Sequence, residues 1–232
     1  MKNVRKVINE IMNDVLDKNM NLKESMDKRI SDGGIKGPDL GLVKEEVYGT
    51  IRNLIKINFV IYKYNTIKKV DKEVLNILRT SVYEILFLDK IPEHATCNEA
   101  VNLTKAIRKK SAANFVNAVL RNVIRSKSVI AYPTKADGNM VEYLSVNYSM
   151  PMWYCEMMLD HYPVTELEEL FAKMNEEYYE IFEALAREDK SPWAYDDFLQ
   201  RFDSLRSALI DIIGEEKTKK ILIDNPKELL NV

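Results

Sequence analysis

The chain has 232 residues, a net charge of −2, and 46 % hydrophobic and 30 % charged residues, a globular composition that excludes a disordered or fibrous chain. Seven glycines and seven prolines leave room for long helices and argue against a multi-stranded sheet with its many tight turns. No apolar run approaches the roughly 20 residues that cross a bilayer, and Cys97 and Cys155 are too few and too far apart for a disulfide framework, so a reducing cytoplasm and no membrane partner are expected.

Taken in order, Val4, Val7, Ile8, Ile11, Val15 and Leu16 recur at steps of three and four, the apolar face of a first amphipathic helix rather than a signal core. The loop Asp32-Gly33-Gly34-Ile35-Lys36-Gly37-Pro38 matches neither the P-loop nor the dinucleotide fingerprint and reads as a connector. Pro38 suits the first turn of the next helix. Helices are predicted over residues 39–53, 54–65, 72–88 and 92–109, then over 112–127 with Ser111 as its cap. Ala131 to Gly138 reads as a linker. Three short helical segments follow it, Pro151 ending the first and Thr165 with Glu168 forming a capping box for a later one. From Glu177 the pattern is acidic and helical. The fold class is all-α.

Charge divides at the linker. Residues 1–130 carry 24 Lys and Arg against 15 Asp and Glu, and the remainder carries 10 against 21. Such a split points to an anionic partner for the first half. Lys105, Arg108 and Lys109 are predicted to share a helix face, with Lys110 following. Asn114, Asn117, Arg121 and Arg125 form a stripe on the next helix. Cations there suit phosphate, and amides suit the base edges of unpaired RNA. Asn117 could equally be a buried amide serving the backbone. Lys63, Lys68, Lys69 and Lys72 read as a solvated face. His94 and His161 lack metal-ligand spacing, and Glu168-Glu169 and Glu176-Glu177 read as solvated carboxylates. Tyr48, Tyr83, Trp153 and Trp193 fit a core or an interface.

The block Ile77-Leu78-Arg79, Tyr83 to Ala95, Asn98 to Val101 and Phe115 to Arg121, with Tyr48-Gly49 and Arg52 upstream, resembles the NusB family. It is most similar to the NusB-like N-terminal region of RsmB-type ribosomal RNA cytosine-5 methyltransferases. Tyr148 to Trp153 resembles the start of the bundle that leads into their catalytic domain, and His161-Tyr162-Pro163 onward follows more loosely, to about residue 176. The resemblance implies a NusB-like RNA-binding domain over 1–130 made of two small helical bundles. A smaller helical bundle would follow over 138–176, then an acidic segment of open role over 177–232. It also implies an RNA-binding basic segment at Lys2, Arg5 and Lys6. Past Gly138 only Gly214 remains, and no cysteine follows Cys155. A Gly-rich S-adenosylmethionine turn and a catalytic thiolate motif are therefore not expected. The expectation is a non-catalytic RNA-binding protein with no cofactor and no metal, its partner a ribosomal RNA. The alternatives are a protein–protein adaptor of the transcription antitermination type, which docks a small ribosomal protein or self-associates, or the targeting subunit of a separate methyltransferase chain. The acidic half could also cover the basic half as an RNA mimic.

Overall fold

The computed structural model describes residues 4–65 and 69–177, and among these the secondary structure is ten α-helices joined by turns, with no strand. The apolar stripe of the first helix becomes α1 (Val4–Lys18), which buries Val7, Ile8, Ile11, Met12 and Val15. Asp14 points inward from the same helix. It accepts from Arg29 Nε at 2.6 Å and Nη2 at 3.0 Å, from Ser25 Oγ at 3.2 Å and from Lys18 Nζ at 2.8 Å. Burial pushes this carboxyl up, but the guanidinium and ammonium outweigh it and hold it at about 2. These bonds pin α2 (Leu22–Gly33) to α1.

Sequence reasoning passes from α1 straight to the glycine-rich loop and misses α2. Its signals are local: Asn21 caps the helix by accepting from the Glu24 backbone N–H at 3.2 Å, and Gly34 closes it in the left-handed region at φ 64°. Then come α3 (Pro38–Arg52), with Pro38 in its first turn, and α4 (Leu54–Tyr64), separated from α3 by Asn53 alone. Next are α5 (Lys72–Phe87), α6 (Glu93–Ala106) and α7 (Ala113–Ser126). After the linker follow α8 (Met140–Tyr148), α9 (Met152–Leu159) and α10 (Val164–Glu177).

Three predicted boundaries are corrected. The helix expected over 92–109 stops at Ala106, because Arg108 turns left-handed at φ 65°. The Lys109 and Arg108 N–H groups then bond back to Thr104 and Lys105 at 3.0 and 3.1 Å, a Schellman closure built on arginine where glycine is usual. Ser111 does not cap α7, since it lies inside a 3-10 turn over Lys110–Ala112 and α7 has no side-chain cap. Thr165 and Glu168 form no capping box, since α10 begins at Val164 and Glu168 accepts instead from Tyr143 Oη at 2.5 Å and Lys135 Nζ at 2.7 Å.

Two apolar cores organise the described residues. One joins α1, α2 and α3 with α8, α9 and α10, through residues such as Ile11, Val47, Leu144, Met158 and Phe171. The other belongs to α4–α7, through Ile57, Leu78, Ile85, Val116 and Leu120. The boundary near 131–138 is thus a feature of the chain and its charge, whereas the core of α1–α3 continues into α8–α10. Lys56 N–H donates to Ser149 Oγ at 3.2 Å, tying α4 to the end of α8.

The two bundles meet closely where α3 crosses α5. A Cβ on Gly49 would lie 2.0 Å from the buried ring of Tyr83, whose hydroxyl donates to Glu45 Oε1 at 2.6 Å. Gly49→Ala is expected to destabilise the fold by about 1–3 kcal/mol, because the ring has to leave its site and its hydrogen bond. Denaturant unfolding would measure this, and a midpoint equal to the parent's would show that the crossing yields freely.

Candidate nucleic-acid interface

The predicted basic residues fall into three structural situations. Lys2 lies outside the described residues, as do Lys68, Trp193 and the segment 178–232. Arg5 faces inward. Its Nε and Nη2 donate to Glu84 Oε1 and Oε2 at 2.9 and 2.8 Å, and Thr96 Oγ1 donates to the same Glu84 Oε2 at 2.6 Å. Glu84 is buried, so Arg5 serves the junction of α1, α5 and α6. Lys6, its neighbour, is exposed and lies 3.9 Å from Glu10.

Lys109 is also engaged. Its Nζ is 2.6 Å from Asp71 Oδ2 and 3.8 Å from Glu73. Asp71 is the N-cap of α5, accepting from the backbone N–H groups of Glu73 and Val74, and the Lys109 ammonium draws its carboxyl below the usual range. Lys109 therefore staples the turn after α6 onto the start of α5. The expected face of Lys105, Arg108 and Lys109 does not exist as one helical face, since α6 ends before the last two.

What remains is a run of exposed cations along the packed pair α6 and α7: Lys105, Arg108, Lys110, Arg121 and Arg125. None forms an ion pair with a carboxylate among the described residues. The two arginines of α7 are steered by asparagines on their own helix. Arg121 Nε donates to Asn117 Oδ1 at 3.1 Å, and Arg125 Nη2 donates to Asn122 Oδ1 at 2.5 Å. Asn117 is thus half-buried and bonded to an arginine, not a core amide serving the backbone. Asn114 is exposed at the start of the same helix. At about 1.5 Å per residue, the 14 residues of α7 extend the run over roughly 20 Å. Sequence reasoning missed Asn122, whose role depends on the rotamer of Arg125.

The acidic helices lie elsewhere. Glu168 of α10 pairs with Lys135 of the linker. Tyr83 is core, Tyr48 packs against the first core, and Trp153 is 48 % exposed. Cys97 and Cys155 are buried free thiols. Burial pushes Cys97 up and Cys155 to about 12, away from the thiolate a nucleophile needs. Among the described residues, no group of His, Cys, Asp or Glu is arranged to hold a metal ion, and no helix is long and apolar enough to cross a membrane.

These features define an all-α protein with two helical cores and a basic run along one helix pair. Residues 2–125 match the NusB family, and the chain belongs to it. It is 36 % identical over 123 residues to the probable ribosomal RNA small subunit methyltransferase B of Bacillus subtilis, covering 53 % of this chain and 27 % of that protein. It is 40 % identical over 83 residues to transcription antitermination protein NusB of Bacillus licheniformis, covering 33 % of this chain and 62 % of that one. Against the NusB of Clostridium kluyveri it is 34 % identical over 103 residues, covering 42 % and 64 %. The chain thus spans about a quarter of the methyltransferase and somewhat under two thirds of the antitermination proteins.

Proposed function

We propose that this chain is an RNA-binding member of the NusB family that works without catalysing a reaction, contacts ribosomal RNA through the α6–α7 run, and acts in the cytoplasm. The observation that carries the reading is the set Lys105, Arg108, Lys110, Arg121 and Arg125, five exposed cations without carboxylate partners among the described residues. An uncompensated run of this kind attracts a polyanion, and binding releases its counterions. Arg121 bonds Asn117 through Nε alone and keeps both outer N–H groups for phosphate, whereas Arg125 spends Nη2 on Asn122 and Nε on the Arg121 carbonyl and keeps Nη1. The methyltransferase relative, which acts on small-subunit ribosomal RNA by its name, supplies the choice of RNA.

The test is binding to small-subunit ribosomal RNA fragments, with log K followed against log salt. The triple variant Arg108→Gln, Arg121→Gln, Arg125→Gln is expected to bind more weakly and to reduce the slope by about two, at roughly 0.7–0.9 per lost phosphate contact. Lys109 is left intact, because it holds α5. An absence of binding even at low salt would overturn the reading.

A second reading, a protein adaptor that docks a ribosomal protein or targets a separate methyltransferase chain, is favoured by one observation. Met152 and Trp153, at the start of α9, are 51 % and 48 % exposed, an apolar pair on the surface of the α8–α10 unit.

A further inference from the structure

Of the lysines that the sequence presents as a solvated face, Lys63 lies on α4, and that face of the helix carries more than lysine. Lys56, Phe59, Tyr62 and Lys63 follow at steps of three and four and so share that face. The linker after α7 lies along it. Lys63 Nζ donates to the Ala131 carbonyl oxygen at 2.8 Å, and Tyr132 stacks on Phe59 with ring centroids 6.0 Å apart and planes inclined at 30°. Each lysine then sits on a ring. The Lys56 ammonium is 4.9 Å from the Tyr132 centroid, and that of Lys63 is 5.5 Å from the Phe59 centroid. Tyr62 is 57 % exposed and has no ring, cation or hydrogen-bond partner among the described residues.

Charge and shape point to the same occupant. Neither Lys56 nor Lys63 pairs with a carboxylate among the described residues, so the aromatic cluster carries two uncompensated positive charges. Phe59 and Tyr132 are half-buried, and a cation resting on such a ring is held by about 0.5–2 kcal/mol. A phosphate accepts charge-assisted hydrogen bonds and draws the ammonium off the ring. The face so uncovered, with the open ring of Tyr62 beside it, is what an unpaired base stacks on. A duplex hides its base faces, and a protein partner would need acidic residues set among apolar ones to match both features.

We propose that α4 and Tyr132 form a second RNA contact, a stacking platform for unpaired nucleotides, with Lys56 and Lys63 taking the adjoining phosphates. It rests on the reading of the chain as RNA-binding and is separate from the α6–α7 run. The linker has a role in it, since it places Tyr132 against Phe59 of α4.

The test uses the full chain and two probes, a short oligo-uridylate containing 5-iodouridine and a blunt-ended RNA duplex. Irradiation of the first complex, read by mass spectrometry, is expected to cross-link Tyr62, Tyr132 or Phe59. Tyr62→Ala and Tyr132→Leu are each expected to weaken oligo-uridylate binding about tenfold and to leave duplex binding unchanged. Should Tyr132→Leu fail to fold, the surface variant Tyr62→Ala and the cross-link decide. Oligo-uridylate that binds with cross-links elsewhere, and with parental affinity in Tyr62→Ala, overturns the platform and leaves the RNA reading standing. Failure of both probes to bind removes the RNA reading, and the platform with it.

Discussion

Arg5→Met is expected to cost about 3 kcal/mol of folding stability, while Lys6→Met costs almost nothing. The two residues are adjacent basic positions on α1 and look alike in sequence. The Arg5 guanidinium makes two parallel bonds to Glu84, a side chain only 2 % exposed, whose second oxygen also accepts from Thr96. Removing one partner of a buried pair leaves the other charge uncompensated, which costs roughly 3–5 kcal/mol. Arg5 is itself 23 % exposed, so water reaches the site and the lower end of that range applies. Lys6 is 52 % exposed and lies 3.9 Å from the half-buried Glu10, a pair one turn apart on one helix of a kind worth about 0.3–0.5 kcal/mol. Urea unfolding of the two variants checks both. An Arg5→Met midpoint matching that of Lys6→Met would mean that Glu84 finds water or another donor.

This contrast marks where the sequence was readable. The all-α class, most helices and the closing proline of the glycine-rich loop follow from periodicity and breaker residues, which are local properties. The motif Tyr48-Gly49 is also legible, and its cause is the ring of Tyr83 lying where a Cβ would be. The site was legible as a count of charges and not as a surface. Arg5, Lys109 and Arg121 are equivalent in sequence, and their partners differ: Glu84, 79 positions away, Asp71, 38 positions away, and Asn117, one turn away. Only the last lies within reach of a helical-spacing argument. The end of α6 was misplaced for a related reason. The left-handed residue that closes it is Arg108, and nothing in an arginine announces that conformation. Phe59 and Tyr132 escaped notice because their stacking joins a helix to a linker that reads as a mere spacer.

Glu46→Gln is expected to remove most of the loss of stability that the protein suffers as pH rises from 5 to 8. Glu46 lies on α3 beside Arg5 and Glu84 and is fully buried, its carboxyl oxygens accept no hydrogen bond, and its acid proton faces the Glu84 carboxylate. Burial first, and then the neighbouring Glu84 charge, push its pKa up to about 9, against the partial opposition of Arg5. The folded chain therefore holds a proton on Glu46 that the unfolded chain releases above about 4.5. Folded protein binding more protons means that stability falls with rising pH, by about 1.4 kcal/mol per pH unit for one proton, and levels off above about 9. Below the unfolded value the group contributes no penalty. The depressed carboxyls act outside this window, since Asp14 loses its contribution only as pH falls below about 3.8 toward 2. The raised thiols of Cys97 and Cys155 act only above their ordinary value of 9.0. Glutamine keeps the size and neutrality of the protonated acid and cannot ionise. The stability gap between Glu46→Gln and the parent should thus widen steadily across pH 5 to 8, in favour of the variant. Parallel pH profiles, measured by denaturant unfolding, would show instead that Glu46 ionises in the fold and that Arg5 neutralises both carboxylates.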